Sequence, residues 1–253
     1  MLLKDKIFAI TGGASGIGRA ASLEAARQGA DVAITDIVEP EIAQSVLEAI
    51  RAQGRQAVYL QGDVSAPETA SRFMEVIVEG LGGLDIFVSN AGICPFHPFL
   101  DLPPETLTKT VGVNLLGAYF MVQAAANQMV RQGRGGAIIA VSSISALVGG
   151  AYQTHYTPTK AGVHSLMQST AVALGKYGIR CNSVLPGTIR TAINEEDLSD
   201  EVKAQAMIGR IPLGRLGVPE DLAGPIVFLG SDMAGYVTGA SLLVDGGCFV
   251  NLQ

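Results

Sequence analysis

The chain has 253 residues, of which 48% are hydrophobic, so it is long enough to bury a substantial core. Its net charge is −6 and it contains no run of Lys or Arg, which excludes nucleic acid as an expected partner. No segment approaches the roughly 18 apolar residues that a membrane-spanning helix needs, and the charged N-terminus does not fit a signal peptide. We therefore expect a cytoplasmic protein that does not bind membranes.

The cysteine count and the hydropathy add two further expectations. The three cysteines, Cys94, Cys181 and Cys248, are odd in number and far apart, which disfavours disulfides and a structural zinc site. No metal is expected. The mean hydropathy of +0.35 is high and hints that an oligomer hides some apolar surface.

Short β-branched segments alternate with longer segments of helical spacing along the chain. The predicted strands are 6–10, 31–35, 56–60, 84–89, 136–142, 180–185 and 241–247. Several are continuously apolar, as strands covered on both faces must be. Strands that alternate with helices join through right-handed crossovers into a parallel sheet. The pattern predicts one α/β domain over residues 1–253, a doubly wound (Rossmann) parallel sheet with helices on both faces.

A glycine-rich segment, "TGGASGIG", follows the first predicted strand and places Gly12, Gly16 and Gly18 before a helix. Glycines in this context let the backbone turn tightly and approach a pyrophosphate at the helix N-terminus. On glycine spacing alone, a tight strand-to-helix turn without a ligand is an open alternative.

Asp36 closes the second predicted strand, near the distance from the glycines at which an acidic residue accepts hydrogen bonds from a ribose. A solvated loop aspartate is the alternative. Because its carboxylate repels a 2′-phosphate and no compensating cation is evident nearby, Asp36 favours NAD, while NADP remains possible.

Several separated motifs resemble those of the short-chain dehydrogenase/reductase family, from Lys6 to the C-terminus. "TGGASGIG" resembles its cofactor loop, "DV" at 63–64 its adenine contact and "NAG" at 90–92 its sheet-supporting motif. "PGTIRT" at 186–191 is similar to its nicotinamide segment. The resemblance implies a cofactor site formed by Gly12, Ser15, Gly16, Ile17, Gly18, Asp36, Asp63, Val64, Asn90, Ala91, Gly92, Tyr156, Lys160, Pro186, Gly187, Ile189 and Thr191. It also implies a homotetramer that uses helices at 107–131 and 152–177 and the C-terminal strand region.

Asn114, Ser143, Tyr156 and Lys160 match the active-site tetrad of that family. Tyr156 and Lys160 are four residues apart and share one helix face, and Pro158 between them is tolerated only in a first helical turn. An ammonium about 5 Å away would favour the Tyr156 phenolate by roughly 3 kcal/mol, which predicts a lowered tyrosine pKa. Ser143 can hydrogen-bond the reacting oxygen. The resemblance implies that Asn114 holds a water that links Lys160 to solvent.

Each of these residues also has a structural interpretation. The Tyr156–Lys160 pair could be an exposed helix contact, and Ser143 could simply end a strand. The acidic residues at 194–201 favour a solvated helix start over a metal site. We expect the segment at about 191–215 to form a substrate lid, because it follows the nicotinamide-facing loop.

Neutral hydrogen-bonding side chains dominate the predicted substrate side. They are Ser143, Ser145, Gln153, Tyr156, Thr188 and Asn194, a set that suits a sugar or polyol, although such side chains can also cap backbone groups. Segments such as "SSISALVGGAYQTHYTPTKAG" and "LLVDGGCFVNLQ" resemble the L-rhamnose 1-dehydrogenases within the family. This implies oxidation of the C1 hydroxyl of L-rhamnose, or a similar aldose, to the lactone. A 3-oxoacyl thioester reductase, another sugar or polyol dehydrogenase, and a non-catalytic NAD-binding sensor or scaffold are the alternatives.

Overall fold

Seven parallel strands form one sheet in the order β3-β2-β1-β4-β5-β6-β7. The computed structural model describes residues 1–194 and 198–251. The strands are β1 (Ile7–Thr11), β2 (Asp31–Asp36), β3 (Ala57–Gln61), β4 (Ile86–Ser89), β5 (Gly136–Val141), β6 (Ile179–Pro186) and β7 (Ser241–Val244). The chain winds outward from β1 to β3 and then returns to place β4 on the other side of β1. This reversal opens a crevice at the carboxyl ends of the strands, which is where such sheets bind ligands.

Helices cover both faces of the sheet. They are α1 (Gly16–Arg27), α2 (Pro40–Arg51), α3 (Pro67–Leu81), α4 (Pro104–Val111), α5 (Ala118–Gln132), α6 (Thr157–Leu174), α7 (Glu201–Ile208) and α8 (Pro219–Gly230). One core forms where α1, α2 and α8 pack on the sheet, and a second forms under α3, α5 and α6 on the opposite face. The predicted fold class, a doubly wound parallel sheet between two helical layers, is confirmed.

Alternating residues of the central strands supply the two cores. Phe8 and Ile10 of β1 belong to the first core, whereas Ala9 belongs to the second. All three side chains are fully buried. A strand with both faces covered needs apolar residues at every position, which explains why these segments read as continuous apolar runs.

The predicted strands agree with the observed ones to within two residues, except that β7 ends at Val244 instead of 247. There Asp245 accepts hydrogen bonds from the backbone N–H groups of Gly247 and Phe249, which turns the chain out of the sheet. The predicted helix at 152–177 begins at Thr157, because Pro158 fits only in its first turn.

The predicted helix at 107–131 consists of three consecutive parts. It begins as α4, widens into a π-helix at Gly112–Gly117, and continues as α5. A π-helical segment within a longer helix shifts the side chains that follow it and is frequent at functional sites.

Residues after β6 form a small unit beside the crevice. Leu198, Ala204, Ile211 and Leu216 pack together in an apolar cluster of their own. Ile189 bridges to Gly217, which ties the end of this unit back to the loop that follows β6. Of the lid predicted at about 191–215, residues 195–197 lie outside the described residues. Residues 252–253 of the predicted single domain also lie outside them.

Within the described part of the chain, no helix combines the length and apolarity needed to cross a membrane.

Candidate active site

A cavity of about 740 Å³ opens at the carboxyl ends of the strands. Of the predicted cofactor residues, those that line it are Gly12, Ser15, Gly16, Ile17, Asp36, Asp63, Val64, Asn90, Ala91, Gly92, Tyr156, Lys160, Pro186, Gly187, Ile189 and Thr191. The predicted substrate residues Ser143, Ser145, Gln153, Thr188 and Asn194 line it too. The fold thus brings residues from the carboxyl ends of six strands, β1 to β6, to one cavity. Gly18 and Asn114 are the two predicted site residues that lie outside its lining.

The glycine-rich loop follows β1 and leads into α1. Gly12 and Gly16 adopt φ angles of +66° and +50°, a region that side-chain-bearing residues rarely occupy. Gly18 allows α1 to pack closely against the glycine-rich loop, since a Cβ at this position would overlap the carbonyl oxygen of Gly12. Ser15, before the first residue of α1, makes no capping bond through its side chain. The backbone N–H groups at this helix N-terminus suit an anionic group.

Asn90, at the end of β4, braces the glycine-rich loop from the neighbouring strand. Its side-chain Nδ2 donates to the carbonyl oxygens of Thr11 and Gly12, at 2.9 and 3.1 Å. The Thr11 hydroxyl accepts hydrogen bonds from the backbone N–H groups of Asn90 and Ala91. These bonds fix the loop against the sheet, in agreement with the supporting role that the resemblance implied.

Two carboxylates stand at the far end of the cavity. Asp36 ends β2 and accepts hydrogen bonds from the backbone N–H groups of Ala14, at 3.0 Å, and Ile37, at 2.8 Å. Asp63 accepts from both the backbone and the hydroxyl of Ser65, each at 2.8 Å. Each carboxylate oxygen has more than one lone pair, so both groups retain acceptor capacity toward a ligand.

Tyr156 and Lys160 lie at the N-terminal end of α6, and the Lys160 Nζ is 5.6 Å from the centre of the tyrosine ring. The shared helix face and the first-turn position of Pro158 are confirmed. Lys160 is 5% exposed, and its ammonium donates to the carbonyl oxygen of Val141 at 2.9 Å. Burial disfavours the charged form and lowers the pKa of Lys160 to about 8.

Burial also raises the pKa of Tyr156 above its ordinary value, because the phenolate loses its contact with water. The Cys94 thiol adds to this increase, and a hydrogen bond with the Ser143 side chain opposes it. The prediction that the nearby ammonium lowers the Tyr156 pKa is therefore wrong for the chain on its own. Desolvation of the phenol is the largest influence on its pKa at this depth.

Asn114 lies in the π-helical segment, behind the cavity wall, and is 1% exposed. Its side chain bonds both backbone groups of Ile93, accepting from the N–H and donating to the carbonyl, each at 2.8 Å. A Cβ placed on Gly92 would lie 3.3 Å from the Asn114 oxygen and 3.4 Å from the Lys160 nitrogen. Asn114 thus lies close to Lys160 and holds the loop after β4. Its predicted role in a water relay stays a prediction.

Four side chains form a polar chain on the substrate side. The Ser143 hydroxyl accepts from the backbone N–H of Ser145 at 3.0 Å, and the Ser145 hydroxyl donates to Gln153 Oε1 at 3.4 Å. Gln153 Nε2 donates to the Sγ of Cys94 at 3.2 Å. Sequence reasoning considered Cys94 only for disulfides and structural zinc and missed its place in the site. Its position two residues after the "NAG" motif was the available signal.

Asn194 lies at the cavity, but its carboxamide is engaged with its own loop. Its oxygen accepts from the backbone N–H of Thr191 at 3.0 Å, and its nitrogen donates to the carbonyl of Ile189 at 2.9 Å. This geometry supports a role in holding the loop after β6 rather than direct contact with a substrate.

The histidines show no metal-site arrangement. His155 is buried, and its Nε2 bonds the carbonyl oxygen of Pro95 at 2.7 Å, which fixes the loop that carries Cys94. His164 bonds the Ser241 hydroxyl at the surface. Among the described residues, no three His, Cys, Asp or Glu side chains cluster as metal ligands do.

Comparisons with known proteins cover the whole chain. The family model described as "Enoyl-(Acyl carrier protein) reductase" matches residues 12–248. The "L-rhamnose 1-dehydrogenase (NAD(P)(+))" of a Sphingomonas species is 66% identical, over 100% of this chain and 99% of that protein. The "L-rhamnose 1-dehydrogenase (NADP(+))" of Thermoplasma acidophilum is 46% identical, over 99% of this chain and 98% of that protein.

A solved structure agrees with these sequences. The crystal structure of a short-chain type dehydrogenase/reductase from Mycobacterium marinum is 36% identical and superposes with a TM-score of 0.92. The superposition covers 97% of this chain and 96% of that one. With the strand order and the motifs described above, these matches confirm that the chain belongs to the short-chain dehydrogenase/reductase family.

Proposed function

We propose that the protein is an NAD(P)-dependent dehydrogenase that oxidises the C1 hydroxyl of L-rhamnose to the lactone. The observation that carries the proposal is the convergence of Ser143, Tyr156 and Lys160 on one cavity that the uncharged polar residues Ser145, Gln153 and Thr188 also line. The 66% identity to a protein named for L-rhamnose, over the full chain, supports the sugar.

A nicotinamide dinucleotide would span the cavity from Asp36, at the end of β2, to the loop after β6. Gly12 and Gly16 remove side chains where a pyrophosphate would approach, and the N-terminus of α1 offers backbone N–H groups. Asp63 and Val64 would contact the adenine, and Pro186–Thr191 the nicotinamide. When bound, this group supplies the hydride acceptor.

Asp36 would hold the ribose hydroxyls, and its charge would disfavour a 2′-phosphate. We therefore propose that NAD is the preferred cofactor and that NADP is used less efficiently. The relatives are named for both NAD(P) and NADP, which supports nicotinamide dinucleotides as a class without ranking them.

Tyr156 acts as the general base in this mechanism. Its phenolate takes the proton from the C1 hydroxyl of the sugar, while the C1 hydride leaves. Because burial raises the pKa of Tyr156, ionisation needs positive charge beside it. Protonated Lys160 supplies one such charge and the positively charged nicotinamide supplies another.

Ser143 donates a hydrogen bond to the reacting oxygen and so stabilises the charge that develops there. Lys160 can return the Tyr156 proton toward solvent, since its lowered pKa of about 8 allows it to exchange protons near neutral pH. Asn114, which lies behind Gly92 near Lys160, would hold the first water of that route.

The remaining hydroxyls of the sugar would meet Ser145, Gln153 and Thr188. These residues are uncharged and line the cavity beside Ser143. A neutral sugar can hydrogen-bond these residues without leaving a charge unpaired.

The alternatives receive less support. An acyl carrier partner of a 3-oxoacyl thioester reductase would favour a basic rim, but among the described residues Lys109 and Arg210 are the cations that line the cavity besides Lys160. A non-catalytic sensor would not need the Ser143–Tyr156–Lys160 arrangement.

We also propose a homotetramer in the cytoplasm. Exposed apolar side chains on the predicted interfaces support the assembly, notably Val172 on α6, which is 87% exposed, and Leu116 and Tyr119 near the start of α5. Light scattering that gave a monomer would overturn it.

Cofactor reduction, followed by absorbance, tests the function directly. The purified protein is mixed with NAD or NADP and with L-rhamnose, a panel of other aldoses, or a 3-hydroxyacyl thioester. We expect the highest kcat/KM for L-rhamnose. Turnover of the thioester without turnover of any aldose would refute the proposal.

A further inference from the structure

The carboxamide of Gln153 is held from two sides at the cavity wall. Its nitrogen donates to the Sγ of Cys94 and its oxygen accepts from the hydroxyl of Ser145. Cys94 follows β4 and Ser145 follows β5, so neighbouring strands deliver the two partners. Cys94 is 8% exposed, and burial raises the pKa of its thiol. It therefore stays a neutral thiol, which serves as a hydrogen-bonding group rather than a nucleophile.

Gly150 borders the Gln153 carboxamide on a third side. A Cβ on Gly150 would lie 2.5 Å from Gln153 Oε1 and 3.2 Å from its Cδ, so a larger residue would displace the carboxamide. Gly150 is not among the residues with positive φ. The reason for glycine here is space for Gln153 and not backbone conformation.

A primary amide has two N–H donors and two acceptor lone pairs on its oxygen. In Gln153, Cys94 takes one donor and Ser145 takes one lone pair, which leaves one donor and one lone pair uncommitted. Two adjacent hydroxyls of a sugar ring can satisfy both. A freely rotating carboxamide could turn over and exchange donor for acceptor, so a fixed orientation is required to distinguish epimers.

We propose that Cys94, Ser145 and Gly150 form a seat that fixes the Gln153 carboxamide, and that this carboxamide seat sets the enzyme's discrimination among epimeric aldoses. Cys94 is then a positioning residue that acts through Gln153. The inference rests on the proposed function, because it takes the substrate to be an aldose.

A double-mutant cycle tests the seat with kcat and KM for L-rhamnose and for its epimers at C2 and C4. We expect Cys94→Ala to raise the KM for L-rhamnose about fivefold, with kcat changed less than about twofold, as the loss of one hydrogen bond predicts. The kcat/KM ratio between L-rhamnose and an epimer should fall. Cys94→Ala combined with Gln153→Ala should be no worse than Gln153→Ala alone, because the two residues act as one unit.

Two further variants separate positioning from general damage. Gly150→Ala moves the carboxamide without touching Cys94 and should give the same loss of discrimination. Cys94→Ser keeps a hydrogen-bonding group at this position and should retain most of the discrimination among epimers. Cys181→Ala removes another buried thiol, one that does not line the cavity, and is the matched control, with no expected change in the epimer ratio.

The outcomes distinguish failure of the carboxamide seat from failure of the proposed function. Additive losses in the cycle, or an epimer ratio that Cys94→Ala and Gly150→Ala leave unchanged, overturn the carboxamide seat even if wild-type enzyme oxidises L-rhamnose. Wild-type enzyme that oxidises a different aldose refutes the proposed substrate, and the same cycle on that aldose then decides the seat. Wild-type enzyme that oxidises no aldose overturns both.

Discussion

The carboxylate of Asp36 accepts a hydrogen bond from the backbone N–H of Ala14, at 3.0 Å, and so joins the end of β2 to the glycine-rich loop. One side chain thereby contributes both to the shape of the loop and to the charge at the far end of the cavity. The two effects can be separated experimentally, because asparagine retains an acceptor oxygen but loses the charge.

For Asp36→Asn we expect the ratio of kcat/KM with NADP to that with NAD to rise about tenfold, since a repulsion of about 1.4 kcal/mol toward a 2′-phosphate would be removed. Initial rates measured at limiting concentrations of each cofactor give this ratio. Asp63→Asn is the matched control, because it neutralises the other carboxylate at that end of the cavity. An unchanged ratio would contradict the assignment of Asp36 to cofactor choice.

For Tyr156→Phe we expect kcat to fall by about 10²- to 10⁴-fold, because a general base contributes roughly that factor and phenylalanine cannot accept a proton. The Kd for the reduced cofactor, followed by its fluorescence, should change little. Tyr152→Phe controls for loss of a phenol near the site, since Tyr152 is 57% exposed. Substantial activity in Tyr156→Phe would remove the proposed base.

The buried Lys160 predicts a specific dependence of stability on pH. Its pKa is about 8 in the folded chain and keeps the ordinary value of 10.5 in the unfolded chain. Between these values the unfolded state binds more protons, so the contribution of Lys160 to stability increases with pH and its burial is most costly below pH 8. The free energy of unfolding of wild type, minus that of Lys160→Met, should therefore increase as pH rises from 8 toward 10.5.

Urea denaturation followed by circular dichroism measures this difference, since the chain contains no tryptophan for fluorescence. Lys4→Met, which removes an exposed lysine, controls for a change in net charge. A difference that decreases with pH would show that the Lys160 pKa is not lowered by burial.

For Gly18→Ala we expect a stability loss of about 1–3 kcal/mol, because the new methyl group would overlap the Gly12 carbonyl oxygen. Cofactor affinity should fall as the loop is displaced. Gly224→Ala in α8 is the control: nothing lies within 4 Å of its Cβ position, so it should be neutral or slightly stabilising. Thermal unfolding and cofactor titration report the two effects, and equal behaviour of the two variants would refute the packing role of Gly18.

Local patterns predicted most of the architecture. Runs such as Ile7–Thr11 read as buried strands because both of their faces are covered, and Pro158 located the N-terminal end of α6 beside Tyr156. The contact between Gln153 and Cys94 could not be predicted, because 59 residues separate them and the adjacency of β4 and β5 brings them together. The direction of the Tyr156 pKa shift depends on depth of burial, which spacing alone does not reveal.

The strand order also has consequences for synthesis of the chain. β1 is made first, yet it lies between β2 and β4, so one of its edges stays unpaired until residues 86–89 have left the ribosome. During that interval a three-stranded intermediate would expose an apolar edge able to pair with another chain. We expect efficient production to depend on how quickly the second half of the sheet closes that edge.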